Sequence, residues 1–278
     1  MKLVPCLRSL LAPAACFALA ATASAQLHQT DATAVGSGWI RTYVEYTAGA
    51  PTRLGVRFDS AALSTLSSGA GSMTKLALPT EAPAPYNHVS VDWNPSGHPG
   101  PGYDAPHFDF HFYFETPEVV AGIPFNPAPP PVSPLFVAPG YVGDPIVVPQ
   151  MGQHFLDSLS PEFGDPAAFT QTLIYGYHDG KMSFIEPMIT LATLQAGGTH
   201  TLPVRAPAYV QTAGYYPTDY GFTVENGVYD VFLTGLHERA FVPVPEPATW
   251  AGGIALSLLV VGASARRLRQ RSASASAG

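Results

Sequence analysis

The sequence predicts a mainly β protein, a single sandwich or open-barrel-like domain with one or two short helices, flanked by a signal peptide and a C-terminal membrane segment. Three observations carry this. Apolar and polar residues alternate with period two in seven short runs, the signature of strands with one buried face. The chain's 29 prolines and 26 glycines fall densely between those runs, where turns and irregular loops belong. The two longest apolar stretches lie at the two ends of the chain, flanked by Lys and Arg.

The alternating runs are Trp39–Tyr46, Leu54–Phe58, His88–Trp93, Phe108–Phe114, Thr170–Tyr177, Lys181–Glu186 and Val228–Leu236. A first short helix is expected over Ser60–Leu66. A second is expected to start at Pro187, a residue suited to a first helical turn, and to stop before Gly197-Gly198. Asp179-Gly180 separates two strand runs and is a strong two-residue hairpin signal. Such a turn pairs His178 with Lys181, Gly176 with Ser183 and Ile174 with Ile185. Residues 121–149 carry Pro127, Pro129, Pro130, Pro131, Pro134 and Pro139, too many for a central strand. That segment reads as a long ordered loop or flap, a length at which loops are commonly functional. The globular domain therefore spans 36–240, after a flexible N-terminal stretch at 26–35.

The ends read as targeting segments. Lys2 and Arg8 precede an apolar run from Leu10 to Ala21, then Ala23-Ser24-Ala25. This order of charge, apolar run and small residues is that of a secretory signal, 1–25, with cleavage expected after Ala25. At the other end Pro245-Glu246-Pro247 precedes an apolar stretch, 250–265, and a cluster of Arg266, Arg267, Arg269 and Arg271. As a helix, its 16 residues reach about 24 Å against about 30 Å of hydrocarbon, a short span suited to a transient anchor. The arginines would hold their side in the cytoplasm.

Proline-glutamate-proline, an apolar helix and an arginine cluster together resemble the PEP-CTERM sorting signal of Gram-negative bacteria, over residues 243–271. The resemblance implies recognition by an exosortase-type processing enzyme and transient insertion in the inner membrane. Release to the cell surface or extracellular matrix would follow, with exopolysaccharide as an associated partner.

Composition narrows the function further. Both cysteines, Cys6 and Cys16, lie within the expected signal peptide, which leaves the mature chain no disulfide and no thiolate ligand or nucleophile. Residues 26–243 hold seven Lys and Arg against 19 Asp and Glu, a net charge near −12. Nucleic-acid binding needs clustered basic residues, so this balance argues against it. It is compatible with cations, neutral glycans or other proteins, including further copies of the chain.

The densest chemistry lies between His98 and Glu115. On a strand, Phe108, Phe110, Phe112 and Phe114 fall on one face, which should be core. His107, Asp109, His111, Tyr113 and Glu115 fall on the other. Residues i and i+2 on a strand are about 6.6–6.8 Å apart, near enough to converge on one ion, whereas i and i+4 are not. The strand should therefore pair His107 with Asp109, or Asp109 with His111, and draw further ligands from His154, Glu186 or His98. Imidazole with carboxylate suits Zn, Mn or non-haem Fe. The remaining histidines are isolated, and no Gly-x-Ser-x-Gly elbow marks a serine nucleophile.

Trp93-Asn94-Pro95, Gly97-His98 and Pro106-His107-Phe108-Asp109-Phe110-His111-Phe112-Tyr113 are similar to the signature of an uncharacterised bacterial domain family typed by a sigma-factor-regulated thermophile protein. Met151-Gly152-Gln153-His154, Phe169–Gly176 and Phe184–Thr190 resemble its later blocks. The resemblance spans about 36–196 and implies no activity. Asp109-x-His111, with Glu115 and Gly122 beyond, also resembles a cupin motif, with Asp109 where that pattern has histidine.

The leading reading is an exported, exosortase-sorted, non-enzymatic β-domain of the cell surface or matrix. One rival is a metal-dependent cupin-like enzyme using His107, Asp109, His111, His154 and Glu186. The other is a carbohydrate-binding module with Tyr215, Tyr216 and Tyr220 as its aromatic face.

Overall fold

The alternating runs assemble into two antiparallel sheets, described by a computed structural model over residues 24–243. The first sheet contains β1 (Ala25–Gln29), β2 (Thr33–Val35), β3 (Gly38–Thr47), β4 (Ala50–Asp59), β12 (Gly198–Pro203), β14 (Asp219–Glu225) and β15 (Val228–Thr234). Its order is β1-β3-β4-β15-β14-β12, with β2 also on β3. The second contains β5 (Ser72–Ala77), β6 (His88–Asn94), β7 (His107–Tyr113), β8 (Tyr141–Gly143), β9 (Gln153–Asp157), β10 (Gln171–His178) and β11 (Lys181–Thr190). Its order is β5-β6-β7-β11-β10-β9-β8, which makes β7 and β11 central. A small ribbon pairs β13 (Gly214–Tyr216) with β16 (His237–Arg239).

One apolar cluster joins the two sheets. Ile40, Val44, Leu54, Val56 and Phe58 of the first meet Val89, Val91, Phe108, Phe110, Phe112 and Ile185 of the second. Phe58 stacks on Phe110 with ring centroids 6.2 Å apart. Burying each such side chain contributes about 1.5–3 kcal/mol. A second cluster lies on the other face of the second sheet. It includes Tyr103, Leu156, Phe169, Ile174, Phe184 and Met188, so β7 and β11 are covered on both sides. The second face is where the polar residues gather.

Helix α1 (Ser60–Leu66) forms where expected, capped by Asp59, whose carboxylate accepts from Ala62 N at 2.8 Å. A short α2 (Pro117–Ala121), capped by Thr116 with proline at its start, was not foreseen. The helix expected from Pro187 begins later, as α3 (Leu191–Ala196), because β11 continues through Thr190. Pro187 sits inside the central strand, opposite Leu173 of β10. On its β7 side the ladder pairs Ile185 with Phe112 and Met188 with Asp109 and lapses between them. That gap accommodates a residue with no N–H to donate.

The hairpin turn is at Asp179-Gly180, with φ of 48° and 74°, the left-handed pair of a type I′ turn. His178 faces Lys181 as expected, but a bulge between Gly176 and Tyr177 moves the register by one. Gly176 therefore faces Phe184, and Ile174 faces Glu186, in place of Ser183 and Ile185. Residues 26–35, expected to be flexible, form β1 and β2 along the edge of β3, where their backbone N–H and C=O groups find partners. Within the proline-rich 121–149 segment a 3-10 turn (Pro134–Phe136) and the edge strand β8 interrupt otherwise irregular chain. Phe136, Tyr141 and Val147 are buried beneath it.

No helix among the described residues is long and apolar enough to cross a membrane. The expected signal run with Ala23 and the tail motif Pro245-Glu246-Pro247 lie outside the described residues. So do the apolar helix 250–265 and Arg266, Arg267, Arg269 and Arg271. Ala25, the expected cleavage residue, opens β1.

Candidate metal centre

β7 is buried along its whole length, and its two faces carry opposite chemistry. Phe108, Phe110 and Phe112 point into the core between the sheets. His107, Asp109 and His111 point to the other face and are 0, 4 and 0 % exposed. The register with β6 sets Ser90 beside His111, Asp92 beside Asp109 and Asn94 beside His107. Polar residues of two adjacent strands therefore share one buried patch.

Three further elements complete it. In β11 the pairing on either side leaves Glu186 alongside His111. In β9 His154 faces Gly176. A side chain at Gly176 would collide with the Phe184 ring, and that ring lies 5.3 Å from the His154 ring, edge to face. His98 comes from the loop between β6 and β7. The loop closes through Gly97 (φ 62°) and a bond from His98 N to Tyr103 O of 2.9 Å.

The residues sort into two groups of two imidazoles and one carboxylate. In one, His98, His107 and Asp109 offer ligand atoms within 4.8 Å of one another; in the other, His111, His154 and Glu186 do the same. Asp109 lies 3.1 Å from His107 Nε2 and 3.6 Å from His98 Nε2. Glu186 Oε2 lies 3.5 Å from His111 Nε2 and 3.7 Å from His154 Nε2. Both groups could hold a metal ion.

Three of the four imidazoles are oriented by their far nitrogen. His107 Nδ1 is 2.7 Å from Ala105 O, and His98 Nδ1 is 3.2 Å from Pro99 O. His111 Nδ1 is 3.2 Å from the Asp92 carboxylate. In each case Nε2 is turned toward the group's carboxylate, as an acceptor behind the ring orients a metal-binding histidine. Asn94 Nδ2 donates to Asp109 Oδ2 at 2.7 Å and fixes that carboxylate as well.

Within the two groups four atoms are left without hydrogen bonds although fully buried, His107 Nε2, Asp109 Oδ1, His111 Nε2 and Glu186 Oε2, and Asp92 Oδ1 beside them is another. The first two are close but misaligned. Buried polar atoms are nearly always satisfied, so four orphans at one patch call for a partner. The ion-pair partners of Asp92, Asp109 and Glu186 among the described residues are all histidines.

The electrostatics follow from this crowding. Burial alone would lower the His111 pKa, but Glu186 and Asp92 outweigh it and raise it to about 9. His98 is likewise raised to about 9, burial being overcome by its bond and charge contact with Asp109. His154 has burial and the charges of His111 and His98 against it and falls to about 3. Burial drives the Glu186 carboxyl well above the usual range. Burial works the same way on Asp109, yet the close approach of the His107 and His98 imidazoles holds it well below that range.

A cleft of about 310 Å³ reaches both groups: Asp109 and His98 line it from one, His154 from the other. Its remaining walls are largely apolar, with Ile146 and Val148 supplied by the proline-rich loop, Met151 by the turn before β9, and Leu156 and Ile174 by the sheet. Asp144 of that loop also faces it.

All six residues singled out from the sequence are brought together here, with the pairing of His107 and Asp109 among those expected. The five-residue set of the cupin-like reading is divided between two groups, His107 and His111 standing two pleat repeats apart on β7. Glu115 does not join them. It binds His178 Nδ1 at 2.9 Å and accepts from Ser183 Oγ at 2.7 Å, so a cupin-type ligand set with Glu115 does not form. Asp92, Asn94 and Asp144 were missed. Asp92 could have been found, since His88, Ser90 and Asp92 are the polar positions of one alternating run. Of the three tyrosines of the carbohydrate-module reading, Tyr216 and Tyr220 are buried in the core and Tyr215 packs against it, so these three do not form an exposed aromatic platform.

Residues 47–93 match the TTHB210-like family model, described as "Hypothetical protein TTHB210". The matched stretch runs from the end of β3 through β6 and stops short of β7. No curated protein and no solved structure gives a significant match.

Proposed function

We propose that this chain is an exported metal-binding domain. Its second sheet holds a divalent cation of the Zn, Mn or Fe class and presents the ion's open coordination positions to a small molecule in the cleft. The observation that carries the reading is the set of orphaned buried atoms on His107, Asp109, His111 and Glu186, each on a side chain already aimed by its neighbours. Desolvating a charged group costs several kcal/mol even when it is paired with an imidazolium, so a purely structural domain has little to gain from three carboxylates buried among histidines. Three protein ligands also leave room for water or substrate on the ion, as catalytic zinc sites do. The carbohydrate-module reading loses its main support with the burial of Tyr216 and Tyr220.

Elemental analysis of the purified protein tests the proposal. It predicts bound Zn, Mn or Fe at one or more equivalents per chain. Protein that retains none after incubation with these ions contradicts it.

The destination is a separate part of the proposal and rests on the two ends of the sequence. The signal-like 1–25 segment supports export. Pro245-Glu246-Pro247, the apolar 250–265 segment and the arginine cluster support exosortase processing and release at the surface. Glu246→Ala should leave export intact and block trimming of the tail; an unchanged mature mass would refute the sorting role.

A further inference from the structure

We infer that the two triads are the halves of one dinuclear centre, and that the cleft beside it takes a small molecule with a single oxyanion head and an apolar body. This rests on the metal-binding reading above and goes further in the number of ions and the class of ligand.

The count of two comes from the geometry of β7. His107 and His111 lie on one face of one strand, two pleat repeats or roughly 13 Å apart along it. A Zn–imidazole bond is only about 2.0–2.1 Å and a Zn–carboxylate bond about 2.0–2.2 Å, so one ion drawn to His107 and Asp109 leaves His111 behind. Each triad also has its own pair of unsatisfied buried atoms. His107 Nε2 and Asp109 Oδ1 are orphaned in one, His111 Nε2 and Glu186 Oε2 in the other. A single ion satisfies one pair and strands the second. Two ions satisfy both.

Charge then points to the ligand. Asp92, Asp109 and Glu186 bring three negative charges to the patch, and their ion-pair partners among the described residues are histidines. Two divalent cations with neutral imidazoles exceed those three carboxylates by one positive charge, and Asp144, which lines the cleft but belongs to neither triad, leaves that excess at the ions' open positions. An oxyanion on the open positions cancels the excess, and a carboxylate or phosphate has two oxygens with which to touch both ions. The walls specify the rest. Ile146, Val148, Met151, Leu156 and Ile174 offer apolar surface to the body of the molecule. The volume, about 310 Å³, is at the small end for ligand pockets. Asp144 on the same wall disfavours a second anionic group on the ligand.

Loading the metal-stripped protein with Mn(II) alone tests the first half. The expected result is two Mn per chain, with an electron paramagnetic resonance spectrum broadened by coupling between the ions. Two double variants, His98→Ala with His107→Ala and His154→Ala with Glu186→Gln, should each retain one Mn with an uncoupled six-line signal. Circular dichroism matched to the parent establishes that they fold; if either does not, His107→Gln and His154→Gln singly are expected to give the same loss of coupling. One Mn in the parent overturns the dinuclear centre but not metal binding. None overturns both. Octanoate, a monocarboxylate with an apolar tail, tests the second half. It should perturb the spectrum of the doubly loaded protein saturably and bind at least 10-fold more tightly than suberate, which carries a second carboxylate. No perturbation, or equal binding of the two, overturns the ligand class.

Discussion

The two faces of β7 are equally buried and owe their burial to different forces. Toward the first sheet, Phe108, Phe110 and Phe112 are at most 1 % exposed and need only close packing with Val56, Phe58 and their neighbours. Toward the cleft, His107, Asp109 and His111 are nearly as buried, and packing leaves their polar atoms unsatisfied. Apolar burial is complete once the sheets close. Polar burial at this density is complete only with a partner of opposite charge. The inner face of the strand serves stability, and under the proposal the outer face serves an ion.

The inner face is where the largest effect should appear. Phe110→Ala should destabilise the domain by about 3–5 kcal/mol, the usual range for a buried phenylalanine. Urea unfolding measures it, and the loss should be the same with and without metal. A loss that depends on metal would mean that the two faces are not independent.

The outer face should show the reverse. Saturating metal at about 100-fold its Kd should stabilise the parent by about 2.7 kcal/mol for each ion bound, through binding to the folded state alone. Asp109→Asn, which keeps shape and removes charge, should lose much of that gain and keep cooperative unfolding. Thermal melts with and without metal measure both quantities. Equal metal stabilisation of parent and variant would remove Asp109 from the site.

The pH dependence sharpens the contrast. In the metal-free protein His98 and His111 are raised to about 9, above their ordinary 6.5, so the stability they contribute is full below 6.5. It is lost as pH rises through about 9. Glu186, raised by burial, slopes the same way, while His154, lowered to about 3, is neutral in the folded state and gives a small opposing slope only near pH 6.5, where the unfolded imidazole loses its proton. Chelator-treated protein should therefore weaken from pH 6.5 to 9. Metal-loaded protein should hold, because the ion takes the place of those protons. Phe110→Ala should leave the slope unchanged in either form.

Far from both faces, Gly180→Val should cost roughly 1–2 kcal/mol at the hairpin, where φ is 74°. Metal content should not change. A variant as stable as the parent would show that the turn tolerates a β-carbon.

Much of this contrast was legible in the sequence because alternation encodes it. Phe108, Phe110 and Phe112 against His107, Asp109 and His111 follow from period two alone, and α1 follows from Asp59 before an apolar-periodic run. The six candidate ligands were also visible as residue types near the right strands. Their division into two triads was not, because it depends on which strands adjoin β7 and on a loop closed through Gly97. Pro187 misled for a physical reason: its missing N–H suits a helix start and a lapse in a strand ladder equally, and only the neighbouring strand decides. The edge strands β1 and β2 were hidden because their side chains are mostly exposed and their order comes from backbone pairing with β3.

X-ray absorption on metal-loaded protein tests the central claim most directly, since it reads the ligands rather than the occupancy. The account predicts a nitrogen and oxygen shell at about 2.0–2.2 Å with the outer-shell scattering of two imidazoles per ion. An all-oxygen shell without imidazole scattering would place the metal elsewhere and leave the outer face of β7 without its partner.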